Sequence, residues 1–215
     1  VKKGLAAALA AACLFLGFFG GYEKYTQMYQ EPYAYISVDI NPSVEFAINR
    51  FHKVIKVEAL NNDGVKVLAD LKIDGETIDH AVVNIVEEAK EQGYIKDDGV
   101  GSVLVTAVPA EDSKEFKKSE TQVKEDLTQL VKQEEKTIEK EEDSTINVTA
   151  KALNPEVRKK AKDQKISAGR QYLIDNAAAA GATELTPEEI AKANITVLLN
   201  DHGDQVLEKD VYAQF

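Results

Sequence analysis

An asparagine followed by a proline can sever its own chain, and one such pair, Asn41-Pro42, interrupts the most strand-like part of this sequence. Asparagine ordinarily ages when the next residue's backbone N–H attacks its side chain, and proline has no N–H to offer. The remaining intramolecular route is the reverse. The Asn41 side-chain nitrogen attacks its own backbone carbonyl, closes a succinimide ring and expels Pro42 as a new N-terminus. Such an attack gains its rate from orientation, worth up to about 7–11 kcal/mol when the reacting atoms are held in near-attack geometry. It also needs donors for the developing oxyanion and a proton for the departing nitrogen. Asp39, Ser43 and Glu45 are nearest in sequence, and Asp39 and Ser43 are the candidate assisting groups. Asp39 lies about 7 Å away along a straight strand, so it reaches the bond only if the backbone bends. The plainer roles stay open: Asp39 as a solvated strand carboxylate, Ser43 as a turn residue, and Asn41-Pro42 as turn punctuation.

Little else in the chain spells chemistry. His52, His80 and His202 are isolated from any partner at ligand spacing, so no metal is expected. No phosphate-binding glycine loop is present, and the single Cys13 lies in an apolar run, which leaves no disulfide and no thiol nucleophile set. No cofactor is expected, and self-cleavage at Asn41 would be a single-turnover event rather than multiple-turnover catalysis. Over 215 residues the composition is that of a globular protein, 44% apolar and 29% charged, with net charge −11. That charge argues against binding nucleic acid or anionic lipid through bulk attraction.

The elements that would position Asn41 follow from periodicity. Ile36, Val38 and Ile40 alternate with Ser37, Asp39 and Asn41, the pattern of a half-buried strand, and Val44, Phe46 and Ile48 resume it after the proline. A third strand is expected at about 53–60, with Ile55, Val57 and Ala59 on one face and Val54 on the other. Asn61-Asn62-Asp63-Gly64 reads as a turn, and 65–71 fits helix or strand equally. Asp74-Gly75 reads as another turn. Ile78, Val82, Ile85, Val86 and Ala89 recur at helical spacing before Gly93, and Val103, Val105 and Ala107 make a further strand. From Asp112, paired with Glu115 in capping-box positions, a long charged helix is expected with Phe116, Val123, Leu127, Leu130, Val131 and Ile138 as its apolar stripe. Residues 144–151 return as a last strand. Beyond Leu153 the chain turns helical: Asn154-Pro155 opens one helix, Ser167 caps another ending at Gly181, and Thr186 to Glu189 form a capping box. Ile195–Leu199 and the tail carry no clear signal.

Ahead of all this, residues 4–21 form an uncharged run about 27 Å long as a helix, close to the thickness of a bilayer core of about 30 Å. Lys2 and Lys3 precede it and Tyr22 and Tyr25 follow, which puts the N-terminus in the cytoplasm and the bulk of the chain outside. A cleaved signal peptide would need a small-x-small site that does not cleanly end the run, and a lipoprotein cysteine would not be followed by more apolar chain. Gly17-x-x-x-Gly21 fits a helix-pairing motif only weakly. The opening Val-Lys-Lys suggests a segment cut from something longer. The fold class expected is α+β: a single transmembrane helix, then a mixed sheet covered by helices, with a helical C-terminal extension. The boundaries are a 1–22 anchor, a 23–32 connector, a 33–152 extracytoplasmic self-cleaving domain and a 153–215 helical segment.

The stretch AYISVDINPSVEFAINRFHKVIKVEALNNDG resembles the extracytoplasmic juxtamembrane domain of the RsgI family of single-pass anti-sigma factors. The likeness is strong over about residues 22–108 and looser to about residue 170. It implies autoproteolysis at Asn41-Pro42 with the two pieces remaining associated. It further implies a sigma-I-type sigma factor held by a cytoplasmic domain outside this chain, and release through a site-2-type intramembrane protease. The alternative is an uncleaved, membrane-tethered binding or assembly domain in which Asn41-Pro42 only bends a strand.

Overall fold

The computed structural model describes Tyr25 and residues 28–96, 101–141 and 146–207. The apolar run 4–21, with Cys13 and the Gly17–Gly21 pair, and the end of the tail lie outside these residues. Among the described residues no helix is long and apolar enough to cross a membrane.

Five strands form one sheet: β1 (Ala34–Asp39), β2 (Ser43–Ile48), β3 (Val54–Ala59), β4 (Gly101–Pro109) and β5 (Ile146–Ala152). Their order is β3-β2-β1-β4-β5, antiparallel throughout except for the parallel pair β4-β5. Among the described residues eight helices accompany them: α1 (Asn62–Leu68), α2 (Ile78–Glu91), α3 (Lys114–Lys118), α4 (Glu120–Glu141), α5 (Pro155–Gln164), α6 (Ala168–Ala180), α7 (Pro187–Lys192) and α8 (Ile195–Leu207). The class is mixed α+β.

The helices lie on both faces of the sheet. Ile36, Val38 and Ile40 join Val44, Phe46 and Ile48, the inward side chains of α2, and Val123, Leu127, Leu130, Val131 and Ile138 of α4 in one apolar cluster. On the opposite face Leu104 and Val108 of β4 meet Leu153, Val157, Tyr172, Leu173, Ile195 and Leu198 in a second cluster. This second layer changes the character of β1. Its alternation predicts a solvated polar face, yet Ser37 and Asp39 are buried, because α6 lies across them. β4 is buried along its whole length for the same reason.

Several local expectations are corrected. Asn61 to Gly64 is a helix start rather than a turn: Asn61 caps α1, its side chain accepting from the Gly64 N–H. The charged helix is two helices, capped by Ser113 rather than Asp112 and broken at Ser119. The β2-β3 register shifts between Ala47 and Ile48, so that Ile55 is an extra residue and both Val54 and Val57 reach the first cluster instead of opposite faces. Of the region without clear signal, Ile195–Leu207 forms α8, kinked at His202. The caps at Ser167, Gly181 and Thr186 stand where the sequence puts them.

One side chain conflicts with its place in the core. Glu134 of α4 is buried and neither carboxyl oxygen has a hydrogen-bond partner among the described residues. Burial, with the Asp79 carboxylate adding to it, pushes the Glu134 carboxyl up to about 9. A carboxyl held higher in the folded than the unfolded state stabilises the fold below the unfolded value of about 4.5, and that contribution is lost as pH rises toward 9. Glu134→Gln should remove this group's share of the loss: the unfolding free energy of wild type from urea titrations should fall between pH 5 and 8, by at most about 1.4 kcal/mol per pH unit through Glu134, and that of the variant should fall less steeply.

Candidate functional site

The Asn41-Pro42 bond lies at the tip of the β1-β2 hairpin, where Asp39 pairs with Ser43 across the turn. Ile40 N–H donates to the Pro42 carbonyl at 3.0 Å, and the reciprocal bond cannot form because Pro42 has no N–H. The Ile40 carbonyl instead accepts from the Ile195 N–H at the start of α8, at 2.7 Å. Asn41 is thus left alone at the apex, half-buried, with Pro42 buried behind it. Its φ is not positive, so the apex is held by its partners rather than by a left-handed backbone.

Those partners come from the start of α1. The Asn41 carbonyl oxygen, which belongs to the bond in question, accepts from Asn61 Nδ2 at 2.6 Å. The Asn41 side-chain nitrogen donates to Asp63 Oδ2 at 3.1 Å. Asn61 Oδ1 accepts from the N–H groups of Ser43 (3.1 Å) and Gly64 (2.7 Å), and these two donors fix which end of the amide faces Asn41. Lys66 Nζ and the Tyr94 hydroxyl donate to Asp63 Oδ1, at 2.7 and 2.9 Å, and hold its carboxyl below the usual carboxylate range. Asp63 is therefore an anion at neutral pH. Close approach of α1 to the hairpin depends on Gly64, where a Cβ would come within 2.5 Å of the Ser43 carbonyl oxygen.

Asp39 and Ser43 are brought to the same hairpin, but in a different capacity from direct contact with Asn41. The Ser43 hydroxyl donates to Asp39 Oδ1 at 2.5 Å, and Ser167 Oγ donates to Asp39 Oδ2 at 2.7 Å. Ser37 Oγ stands 3.5 Å from Oδ2 and is hydrogen-bonded to Thr106 Oγ1 at 2.6 Å, where either hydroxyl can donate. Arg170 Nε lies 3.6 Å from Asp39 Oδ1, an ion pair rather than a hydrogen bond, while Nη1 donates to the Ile190 and Ala193 carbonyls at 2.9 and 2.6 Å. Burial pushes the Asp39 carboxyl up, with Arg170 and the three hydroxyls pulling against it. The expectation of a solvated carboxylate is overturned: Asp39 is fully enclosed, and a Cβ on Gly169 would come within 2.6 Å of its Oδ2. Through Ser43, which touches both Asp39 and Asn61, the buried network is joined to the apex.

Periodicity and spacing did not identify Asn61 and Asp63, because Asn-Asn-Asp-Gly scores as a turn wherever it occurs. A legible signal was there: an asparagine cap with an acid in the first turn, ahead of Val65, Val67 and Leu68. Asn154-Pro155 supplies the contrast. Asn154 caps α5, its Oδ1 accepting from the Glu156 N–H at 3.1 Å, which is the helix-start setting expected of it. His52 lies 3.2 Å from Asp126, and His80 is exposed on α2.

Residues 33–176 match the family model described as the anti-sigma factor RsgI-like central domain. The chain is 34% identical over 198 residues to anti-sigma-I factor RsgI9 of Acetivibrio thermocellus, covering 92% of this chain and 27% of the relative. It is 31% identical over 206 residues to anti-sigma-I factor RsgI6 of the same organism, covering 94% and 27%. To anti-sigma-I factor RsgI of Bacillus subtilis it is 32% identical over 148 residues, covering 67% and 35%. The chain spans about a quarter to a third of the length of these curated relatives. With the matched region running from the start of β1 through the hairpin and both helical layers, the chain belongs to the RsgI family of anti-sigma-I factors.

Proposed function

We propose that this chain is the self-cleaving extracytoplasmic part of a membrane-anchored anti-sigma factor, cut at Asn41-Pro42 and held together afterwards by its own sheet. The observation that carries the reading is that both reacting groups of Asn41 are engaged from one helix start: the carbonyl oxygen by Asn61 Nδ2 and the amide nitrogen by the Asp63 carboxylate. As the Asn41 side-chain nitrogen attacks its carbonyl carbon, negative charge collects on the oxygen facing Asn61, and positive charge on the nitrogen facing Asp63. Both hydrogen bonds strengthen as the transition state forms, which is the condition for catalysis. The new C–N bond closes the succinimide and the bond to Pro42 breaks. The proton lost by the amide is the one the Pro42 nitrogen gains, and we assign its transfer to Asp63, which already accepts from the amide nitrogen. Asp39 and Ser43 position the hairpin.

Cleavage there would leave β1 on the piece bearing the apolar run and the remaining strands on the other. β1 is a central strand, laddered to β2 on one side and β4 on the other. Ala34, Ile36, Val38 and Ile40 are fully buried, and each larger side chain of that kind contributes about 1.5–3 kcal/mol. Arg158 of α5 adds a bridge across the two pieces, lying 3.3 Å from the Tyr35 ring centre of β1 and donating to both Glu45 oxygens of β2 at 2.6 and 2.9 Å. The pieces separate only when β1 is drawn out of the sheet. Loss of the larger piece exposes a short stub to a site-2-type intramembrane protease, which frees a sigma-I-type sigma factor bound on the cytoplasmic side.

The test is N-terminal sequencing and intact mass of purified chain after incubation. A fragment beginning Pro42-Ser43-Val44-Glu45, with none beginning at Pro155, is expected. A single uncut species after prolonged incubation of folded protein overturns the reading and leaves a tethered, uncleaved domain.

A further inference from the structure

Of the five large hydrophobic side chains exposed among the described residues, three lie in one patch: Tyr25 (54% exposed), Tyr29 (42%) and Phe51 (43%). Their rings form a continuous stack, Tyr25 on Tyr29 with centres 4.7 Å apart and Tyr29 on Phe51 at 5.0 Å. Arg50 stands 5.8 Å from the Phe51 ring centre, its Nη1 donating to Glu115 Oε1 at 3.1 Å while the side chain stays 45% exposed. The patch is built, not accidental. Asn49 Oδ1 accepts from the N–H groups of Phe51 and Lys53, and its Nδ2 donates to the Tyr29 carbonyl at 3.1 Å, so one buried side chain fixes the β2-β3 turn and ties it to the connector. A row of stacked, open aromatic rings beside a cation is the kind of exposed patch that marks an interaction site.

Chain length identifies it. The apolar run ends at Gly21, and the residues to Tyr25 can span at most about 14 Å when fully extended. If the run spans a bilayer, Tyr25 cannot leave the headgroup region by much, and Tyr29 and Phe51 are stacked onto it. Tyrosine and other amphipathic rings favour that layer, and arginine there meets lipid phosphate. We infer that Tyr25, Tyr29, Phe51 and Arg50 form a lipid-docking surface that seats the folded domain on the headgroup layer of the membrane that holds its anchor. The inference rests on the anchor reading of residues 4–21. It has a structural corollary. The turn bearing Phe51 is at the end of β2 opposite Ser43, so the length of that strand, six residues of about 3.4 Å each or about 20 Å, sets the farthest that Asn41 is held from the lipid surface. The patch also takes rings from both sides of the proposed cut: Tyr25 and Tyr29 precede it and Phe51 follows.

The chain contains no tryptophan, so a single introduced one reports alone. Full-length chain reconstituted in phosphatidylcholine nanodiscs, with and without brominated lipid, would carry Phe51→Trp, Val197→Trp or Phe15→Trp. Val197 is exposed on α8, away from the patch, and Phe15 lies in the apolar run. Phe51→Trp emission is expected to be at least twofold more quenched by bromolipid than that of Val197→Trp. Equal quenching of these two, with Phe15→Trp strongly quenched, overturns the docking surface and leaves the anchor standing. A blue shift of Phe51→Trp without bromolipid quenching identifies a protein contact and overturns it as well. An unquenched Phe15→Trp overturns the anchor, and the inference with it.

Discussion

Asn61→Asp should slow the proposed cleavage at Asn41-Pro42 by about 10²–10³-fold without unfolding the domain, the usual cost of losing one preorganised oxyanion donor. The substitution is close to isosteric and separates the two jobs of Asn61. Aspartate retains an oxygen to accept from the Ser43 and Gly64 N–H groups, and it caps a helix as well as asparagine does. It cannot donate to the Asn41 carbonyl, and it sets a negative charge against an oxygen that must itself become negative. Asn41→Ala gives the baseline of no cleavage, because the attacking nitrogen is gone. Band intensities on denaturing gels over time give the rate, and circular dichroism checks that the variant is folded. A folded Asn61→Asp that cleaves within threefold of wild type would show that the carbonyl contact has no part in the reaction.

How the hairpin came to be legible, and its helpers not, has a physical explanation. Proline in a run that alternates as strictly as Ile36 to Ile48 has to sit at a turn or bulge, since it cannot give a ladder bond, and local sequence is enough to conclude it. Caps at Ser167, Gly181 and Thr186 are local too. The burial of Asp39 is not. It depends on Ser167 and Arg170, more than a hundred residues later in the chain, arriving over β1, and no period within β1 announces that. The same long-range layer buries β4 on both faces, so alternation there gave only half its environment. Asn61 and Asp63 fall between these cases: their cap chemistry is local, while their contact with Asn41 is set by the β2-β3 pairing that precedes them. Resemblance over the segment ending at Gly64 already contained both residues without assigning them a role.

The second large effect expected is on stability. Asp39→Asn should lower the unfolding free energy by about 3–5 kcal/mol, the cost of removing one partner from a buried ion pair. Arg170 is 2% exposed, its Nε has no hydrogen-bond acceptor among the described residues, and the Asp39 carboxylate is the acid the fold sets beside it, at 3.6 Å. An arginine does not shed its proton to escape such a site, so the charge remains and is uncompensated. The amide that replaces the carboxylate also brings two N–H donors among the Ser43 and Ser167 hydroxyls, which now donate inward. Urea unfolding followed by circular dichroism measures the loss. Asp39→Asn with Arg170→Met should recover part of it, since the stranded charge is then gone, although the bonds from Arg170 to the Ile190 and Ala193 carbonyls go with it. A single Asp39→Asn variant within about 1 kcal/mol of wild type, below the range for a broken buried pair, would mean that Arg170 is neutralised elsewhere. Because Ser43 links Asp39 to Asn61, the variant also separates two kinds of cleavage control. If Asp39 acts by holding the hairpin, cleavage should fall in proportion to the folded fraction and return in the double variant along with stability.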